Sequence, residues 1–253
     1  IRGLIVHSAE WTDAMKRMHL PASGAPSKNH YAVLVRHCGY GVPDIDRAMW
    51  SLSNSLTMIV EDSLQPFQRE EGKDPSMRDM NLHPLPWPLT ELEALGAEQV
   101  EMRITLAYFI EPNPSERGFR ARYRYESHGL RFDVKRPAES LDNFRARINA
   151  AARNEEDGTR VSGDDSNWLI GKQNRHKGSI HSDIWRGTAA DLASRGVIAV
   201  YPALGWWKTR KRLAGYNKRA RYSLIISIHA PETDVDLYLA IKNQITAPIQ
   251  VEV

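Results

Sequence analysis

Cysteine is nearly absent from this 253-residue chain, and long apolar runs are missing altogether. With Cys38 as the one thiol, an intrachain disulfide framework is excluded and an intracellular, cytoplasmic location is favoured. The apolar stretch at residues 197–201 (VIAVY) is far shorter than the ~18 residues that a membrane-spanning helix needs, so we expect no membrane span. Glycine-rich phosphate loops and zinc-binding spacings are also missing, so we expect neither a nucleotide cofactor nor a metal ion.

The composition is that of a folded protein with little net charge. Hydrophobic residues make up 42% of the chain and charged residues 26%, and the formal net charge is +3. These values exclude wholesale disorder, and the length suffices for one large domain or two modest ones. We therefore expect a stable core, and we do not expect nucleic acid as the main partner.

Most of the chain after residue 60 has the pattern of short β-strands separated by turn residues. Strands are predicted at residues 56–61, 100–108, 119–125, 130–134, 197–201, 222–228, 235–241 and 249–253. Within residues 119–125 the polar positions are Arg120, Arg122 and Arg124, which we assign to a solvent face. Many short strands of this kind favour an antiparallel β-sandwich over a parallel sheet.

Two helices are predicted among these strands, each behind a capping residue. Ser140 is placed to cap a helix that begins at Leu141. Thr188, with Asp191 three residues on, resembles a capping box, and Gly196 is expected to end that helix. The predicted class is therefore α+β, mainly β: an antiparallel, jelly-roll-like β-sandwich with added helices.

Residues 1 to about 60 have a different character, with short helices and turns. Residues 31–36 fit either a short strand or a helical turn, and periodicity alone does not decide. Pro43 fits the first position of a helix, and the face of that helix with Ile45 and Met49 is expected to lie on a core.

Ser179, His181 and Asp183 supply the three residue types of a serine hydrolase within one predicted strand. Residues two apart on a strand are separated by roughly 6.5–7 Å, so hydrogen bonds in series would need strained rotamers. His7 and Ser8 are neighbours on a helix and point about 100° apart. We therefore predict that none of these residues is catalytic.

Cys38 follows His37, a pairing that invites comparison with thiol proteases, in which a base activates the thiolate. Adjacent residues of an extended segment face opposite ways. A buried structural cysteine is the interpretation we prefer.

Two sets of side chains have the chemistry of metal ligands. His176, His181 and Asp183 match no zinc-binding spacing. The second set consists of three carboxylates in one loop, Asp157, Asp164 and Asp165. Their oxygen atoms suit calcium, but the segment is equally typical of a solvated acidic loop. We therefore predict no metal site.

Residues 206–222 (WWKTRKRLAGYNKRARY) carry the densest positive charge. The seven cations, with no acid among them, are Lys208, Arg210, Lys211, Arg212, Lys218, Arg219 and Arg221. Such a patch neutralises phosphates while aromatic rings stack on bases, which makes a nucleic-acid or protein-binding module one hypothesis. The other is a β-hairpin loop whose cations point into water while Trp206, Trp207 and Tyr222 anchor its ends, and the low net charge favours it.

Five phrases of the sequence carry a resemblance to a known family. Residues 1–11 (IRGLIVHSAEW) and 39–48 (GYGVPDIDRA) resemble the closing helices of a subtilisin-like serine protease domain. The other phrases are similar to the C-terminal extension of large bacterial members of that family: 82–88 (LHPLPWP), 100–112 (VEMRITLAYFIEP) and 179–187 (SIHSDIWRG).

The resemblance implies a division into residues 1–60, the last helices of a subtilase catalytic α/β domain, and residues 61–253, a β-sandwich-like extension. It also implies that the catalytic triad precedes Ile1, so that this part of the enzyme is non-catalytic. The implied roles are structural, regulatory or in substrate access. The implied partners are the catalytic domain of the same polypeptide, a peptide or protein substrate and an AAA-type ATPase.

Overall fold

The computed structural model describes residues 1–53, 57–85, 87–113, 126–156, 163 and 165–229. The helices in these ranges are α1 (Arg2–His7), α2 (Asp13–His19), α3 (Lys28–Cys38), α4 (Ile45–Ser53), α5 (Leu89–Leu95), α6 (Leu141–Glu156), α7 (Lys172–Arg175), α8 (Ala189–Ala193) and α9 (Trp206–Thr209). The strands are β1 (Thr57–Leu64), β2 (Phe67–Gln68), β3 (Ser76–Met77), β4 (Asn81–Pro84), β5 (Gln99–Tyr108), β6 (Gly129–Val134), β7 (Ile180–Thr188), β8 (Val197–Ala203) and β9 (Ala220–His229).

Antiparallel sheets form the centre of the fold. A four-stranded sheet has the order β1-β9-β5-β7, and a three-stranded sheet has the order β4-β8-β6. Strands β2 and β3 form a separate pair. Every strand pair in the described ranges is antiparallel. The chain is therefore a mixed α/β protein built on antiparallel sheets, which confirms that part of the sequence-based expectation.

One hydrophobic cluster joins the two larger sheets. Met102 and Ile104 of β5 are fully buried in it, together with Phe132 of β6 and Trp185 of β7. Each such side chain contributes roughly 1.5–3 kcal/mol relative to exposure. In the segments 100–108 and 130–134, the apolar residues at every second position are therefore those that face this core.

Helices lie on the outer faces of both sheets. α6 places Phe144 and Ile148 in a second cluster with Ala199 of β8. α1 contacts β5 and β9. A Cβ added to Gly3 of α1 would lie 3.1 Å from the Cδ1 atom of Ile225. A residue without a side chain is therefore what lets α1 approach the sheet so closely.

The predicted helix starts are confirmed. Ser140 Oγ accepts a hydrogen bond from the backbone N–H of Asn143 at 3.2 Å. Thr188 Oγ1 accepts one from the N–H of Asp191, also at 3.2 Å. Residues 31–36, for which strand and helix were both open, belong to helix α3. Caps depend on neighbouring residues, so short sequence patterns predict them well.

Two predicted details of the later elements are wrong. α8 ends at Ala193 with Ser194 as its C-cap, ahead of the expected Gly196. Residues 206–222 do not form a hairpin loop. They form α9, two 3₁₀ turns (Lys211–Leu213 and Gly215–Asn217) and the start of β9.

The helix expected to begin at Pro43 begins instead at Ile45. Asp44 caps it by accepting a hydrogen bond from the N–H of Arg47 at 2.8 Å. Ile45 and Met49 are largely exposed, so the described residues do not supply a core for this face of α4.

The division at residue 60 stays a prediction, and β1 runs across that position. None of the helices in the described ranges is long and apolar enough to cross a membrane. Three predicted strands and two predicted calcium ligands lie outside the described residues: 119–125 with its three arginines, 235–241, 249–253, Asp157 and Asp164.

Candidate functional site

The aromatic residues of the segment 206–222 are buried. Trp206 Nε1 donates to the backbone carbonyl of Glu111 at 3.0 Å, and Trp207 Nε1 donates to the Glu111 carboxylate at 3.2 Å. The Trp207 ring stacks on His128, with centroids 4.5 Å apart. The predicted anchoring of these rings in the core is confirmed. Neither indole is placed to stack on a nucleic-acid base.

Two cations of the segment pair with acids of this chain. Lys218 Nζ lies 2.9 Å from both carboxylate oxygens of Glu111. Lys211 pairs with Asp74, and the hydrogen bond from this lysine holds the pKa of the carboxyl group below its ordinary value. These lysines are therefore partly neutralised before any ligand arrives.

The other cations of the segment differ in their surroundings. Arg219 Nη2 donates to the backbone carbonyl of Ser63 at 2.8 Å. Lys208 and Arg210 also make contacts with other groups. Arg212 and Arg221 are exposed. At least three of the seven cations are therefore engaged with groups of this chain.

The structure gives Ser179, His181 and Asp183 separate partners. Asp183 is fully buried and accepts hydrogen bonds from Arg175 Nη1 at 3.0 Å and from three backbone N–H groups at 2.9 Å, two of them just before α7. His181 Nε2 lies 3.0 Å from the carbonyl oxygen of Gly178. Ser179 Oγ accepts from Arg2 at 3.2 Å. Asp183 therefore organises the backbone at the start of α7 and is not placed to orient a catalytic histidine.

His176 and His181 lie close together, with ring centroids 5.7 Å apart. Burial, followed by the positive charge of Arg131, lowers the pKa of both imidazoles well below the ordinary value. Within the described residues no three His, Cys, Asp or Glu side chains are grouped to hold a metal ion. Both imidazoles are therefore neutral near pH 7, with His181 buried and His176 half-buried.

His37 does not serve Cys38. His37 Nδ1 donates to the backbone carbonyl of Val33 at 2.9 Å, and its ring stacks on His19 with centroids 4.9 Å apart. Cys38 is half-buried against the cluster that holds Tyr31. Cys38 is therefore less buried than we expected, and its packing against that cluster is in keeping with a structural role.

The fold brings His7 and Ser227 together, a pair that sequence inspection missed. His7 Nε2 lies 2.9 Å from Ser227 Oγ, and His7 Nδ1 lies 2.9 Å from Thr105 Oγ1. Thr105 Oγ1 in turn lies 2.9 Å from Ser182 Oγ. Ser227, Thr105 and Ser182 lie on the neighbouring strands β9, β5 and β7. A hydroxyl residue in each of these three strands is the signal in the sequence that could have pointed to this network. A serine hydroxyl activated by a neighbouring histidine is a common catalytic nucleophile. In a catalytic triad a carboxylate orients that histidine through its other ring nitrogen, whereas His7 Nδ1 bonds the Thr105 hydroxyl.

The electrostatics of His7 oppose catalysis. Burial, and then the positive charge of Arg103, lower the pKa of this imidazole to about 3. A general base works best with a pKa near the working pH. Arg103 Nη1 donates to the carbonyl oxygens of His7 (2.8 Å) and Ala9 (2.7 Å) at the C-terminal end of α1. The network therefore fastens α1 to the sheet and does not activate Ser227.

A surface on α1 and α4 is apolar and exposed. We call it the α1–α4 face and define it by Ile5, Ile45 and Met49, which are 48%, 75% and 58% exposed. The two helices contact each other, because Arg47 Nε donates to the carbonyl oxygen of Ser8 at 2.9 Å. Ile45 and Met49 lie one turn apart on the same side of α4, and exposed apolar side chains of this kind are typical of an interaction surface.

Comparison with known proteins finds no matching family model, no matching curated protein and no matching solved structure.

Proposed function

We propose that this chain forms the non-catalytic C-terminal part of a subtilisin-like serine endopeptidase, and that the α1–α4 face docks on its catalytic domain. The observation that carries the proposal is the exposure of Ile5, Ile45 and Met49 on two contacting helices. The resemblance of residues 1–11 and 39–48 to the closing helices of that domain implies that these helices lie against its sheet.

Docking of the α1–α4 face is favourable on the hydrophobic term alone. Burying one large apolar side chain contributes roughly 1.5–3 kcal/mol. Only the exposed fraction of each of the three side chains remains to be buried. Burying these fractions would stabilise the docked state by about 3–5 kcal/mol. A contact within one polypeptide does not lose the translational freedom that a free partner loses, so this amount suffices for a stable domain contact.

The proposed role of this part is structural, regulatory or in substrate access. It includes no hydrolytic step by the described residues, because the two buried histidines that contact a serine, His7 and His128, have pKa values of about 3 and about 4. We also propose that the two sheets form a jelly-roll-like β-sandwich, supported by their shared cluster. A cytoplasmic location, a peptide or protein substrate and an AAA-type ATPase partner complete the proposal.

The coding sequence upstream of the Ile1 codon tests the family assignment. We expect an aspartate motif, a histidine motif and then a glycine-threonine-serine phrase in the same reading frame. An upstream frame that lacks these motifs would contradict the proposal.

Docking has its own test in the full-length polypeptide. Ile45→Glu places a charge on the α1–α4 face, so we expect the catalytic domain and this chain to unfold in separate steps. The matched control is Met18→Glu in α2, where the methionine is 79% exposed but lies off the face. Equal effects of the two variants would show that the face is not the contact.

The alternative of a nucleic-acid or protein-binding module at residues 206–222 stays a prediction. The ion pairs of Lys211 and Lys218 and the burial of both tryptophans do not favour it.

A further inference from the structure

A cleft of about 620 Å³ opens on the outer face of the four-stranded sheet, beside α1, α2 and α3. Arg103 of β5 and Arg186 of β7 are in its polar part, while Trp11, Leu20 and Tyr31 form an apolar wall. Sites for small ligands typically measure roughly 300–1,000 Å³ and combine apolar walls with a few placed polar groups. The cleft has both properties.

The two arginines in the cleft have donors to spare. Arg103 Nη1 bonds two carbonyl oxygens, and within the described residues its Nε and Nη2 atoms have no hydrogen-bond partner. Arg186 Nε donates to Glu101 Oε1 at 2.6 Å, and both its Nη atoms are likewise without a partner in those ranges. Guanidinium groups with open N–H pairs match the two oxygens of a carboxylate.

The strand register puts these arginines within reach of one ligand. Glu101 pairs with Arg186 across β5 and β7, and Arg103 pairs with Ile184. Arg103 and Arg186 are therefore diagonal neighbours on the same face, with backbones roughly 7–8 Å apart. Long side chains from such positions can converge on one group.

The charge of the lining residues favours an anion. Four cations and two carboxylates line the cleft, an excess of two positive charges. The cations are Lys16, Arg47, Arg103 and Arg186, and the carboxylates are Glu10 and Glu101. Arg47 is already paired with Glu10 at 3.0 Å. Arg186 is likewise paired with Glu101 at 2.6 Å, so the donors left open in the cleft suit the two oxygens of one carboxylate.

The apolar wall is rigid and selects for a hydrophobic group. The Trp11 and Tyr31 rings are tilted against each other with centroids 5.9 Å apart. Trp11 Nε1 donates to the carbonyl oxygen of Gly39 at 3.0 Å, which fixes the plane of its indole. Leu20 packs in the same cluster.

We propose that this cleft binds a monocarboxylate that carries an apolar side chain, with the carboxylate on Arg103 and Arg186 and the side chain against Trp11 and Tyr31. A peptide C-terminus with a hydrophobic last residue and a small hydrophobic acid share this chemistry. The inference rests on the cleft alone and stands independently of the proposed protease family.

Calorimetric titration with N-acetyl-phenylalanine and with its amide tests the proposal, because the two probes differ only in the carboxylate. We expect the acid to bind at least tenfold more tightly than the amide. Arg186→Gln, at a half-exposed position, is expected to weaken the acid about tenfold and to leave the amide unchanged. The matched control is Arg212→Gln, which removes an exposed arginine away from the cleft and is expected to bind the acid normally.

Four results would overturn the proposal: no binding of the acid, equal binding of acid and amide, equal losses in the two arginine variants, or displacement of the acid by inorganic phosphate at equal affinity. A tripeptide ending in phenylalanine distinguishes the ligand sources. Tighter binding of its free-acid form than of N-acetyl-phenylalanine assigns the cleft to peptide C-termini, and weaker binding assigns it to small acids. Thermal unfolding of each variant shows whether a loss of binding reflects a loss of fold.

Discussion

Lowering the pH from 7 to 5 is predicted to destabilise the folded chain through its buried histidines. Burial lowers the pKa of His7 to about 3 and that of His128 to about 4, with the Arg103 cation adding to the shift at His7. Burial also lowers the pKa of His176 and His181 well below the ordinary value. In the unfolded chain each imidazole takes up a proton near pH 6.5.

The direction of the effect follows from which state binds more protons. Between about pH 6.5 and the depressed values the unfolded chain is protonated at these sites while the folded chain is not, so stability falls as the pH falls. Above pH 6.5 the two states bind equally few protons and the effect vanishes. For His7 and His128, the loss from pH 7 to pH 5 is about 2 kcal/mol each, or about 4 kcal/mol together.

This loss is large against the ~5–15 kcal/mol that typically stabilises a domain. His176 and His181 act in the same direction and add to this loss. Urea unfolding, followed by tryptophan fluorescence at pH 7, 6 and 5, measures it. We expect the free energy of unfolding to fall by at least about 2.5 kcal/mol per pH unit below pH 6.

Variants identify the groups responsible. His7→Gln keeps hydrogen-bonding atoms toward Thr105 and Ser227 but cannot be protonated, so the slope of stability against pH should fall by about one proton. His128→Gln is the second variant, since either substitution alone also weakens the core. A stability that stays flat between pH 7 and 5, or a slope that neither variant changes, would refute the reasoning.

Three further predictions concern single features. Asp183→Asn leaves Arg175 buried without its counter-ion and should cost about 3–5 kcal/mol, measured by urea unfolding; a cost under 1 kcal/mol would contradict the role given to this pair. Gly205→Ala places a Cβ 2.3 Å from the carbonyl oxygen of Ser127, so a lowered melting temperature is expected, and an unchanged one would contradict the geometry of that contact. Labelled single-stranded DNA should not bind at low salt, and binding that falls steeply as salt rises would restore the nucleic-acid hypothesis for residues 206–222.

Local signals predicted local structure well. The caps at Ser140 and Thr188 depend on residues three positions away, and both were predicted from sequence. The alternating segments 100–108 and 130–134 became β5 and β6 because their apolar faces line the core. In these cases the information lies within a few residues.

Long-range pairing explains what the sequence did not predict. The helix α9 depends on Trp206 and Trp207 bonding Glu111, about a hundred residues earlier in the chain. His7 meets Ser227 from 220 positions away. An expectation built on neighbouring residues has no access to such partners.

The amphipathic helix α4 shows a third limit. Its pattern predicted an apolar face with Ile45 and Met49, and that face exists. A hydrophobic stripe gives no information on which surface covers it. In the described residues the stripe is largely exposed, which is what makes it a candidate docking surface.

Labelling the full-length polypeptide with a serine-directed covalent probe, and then mapping the labelled residue by mass spectrometry, tests the central claim most directly. The account predicts a single labelled serine upstream of Ile1, with Ser179 and Ser227 unmodified. A label on Ser227 or on any other serine of residues 1–253 would contradict the claim that this part of the protein is non-catalytic.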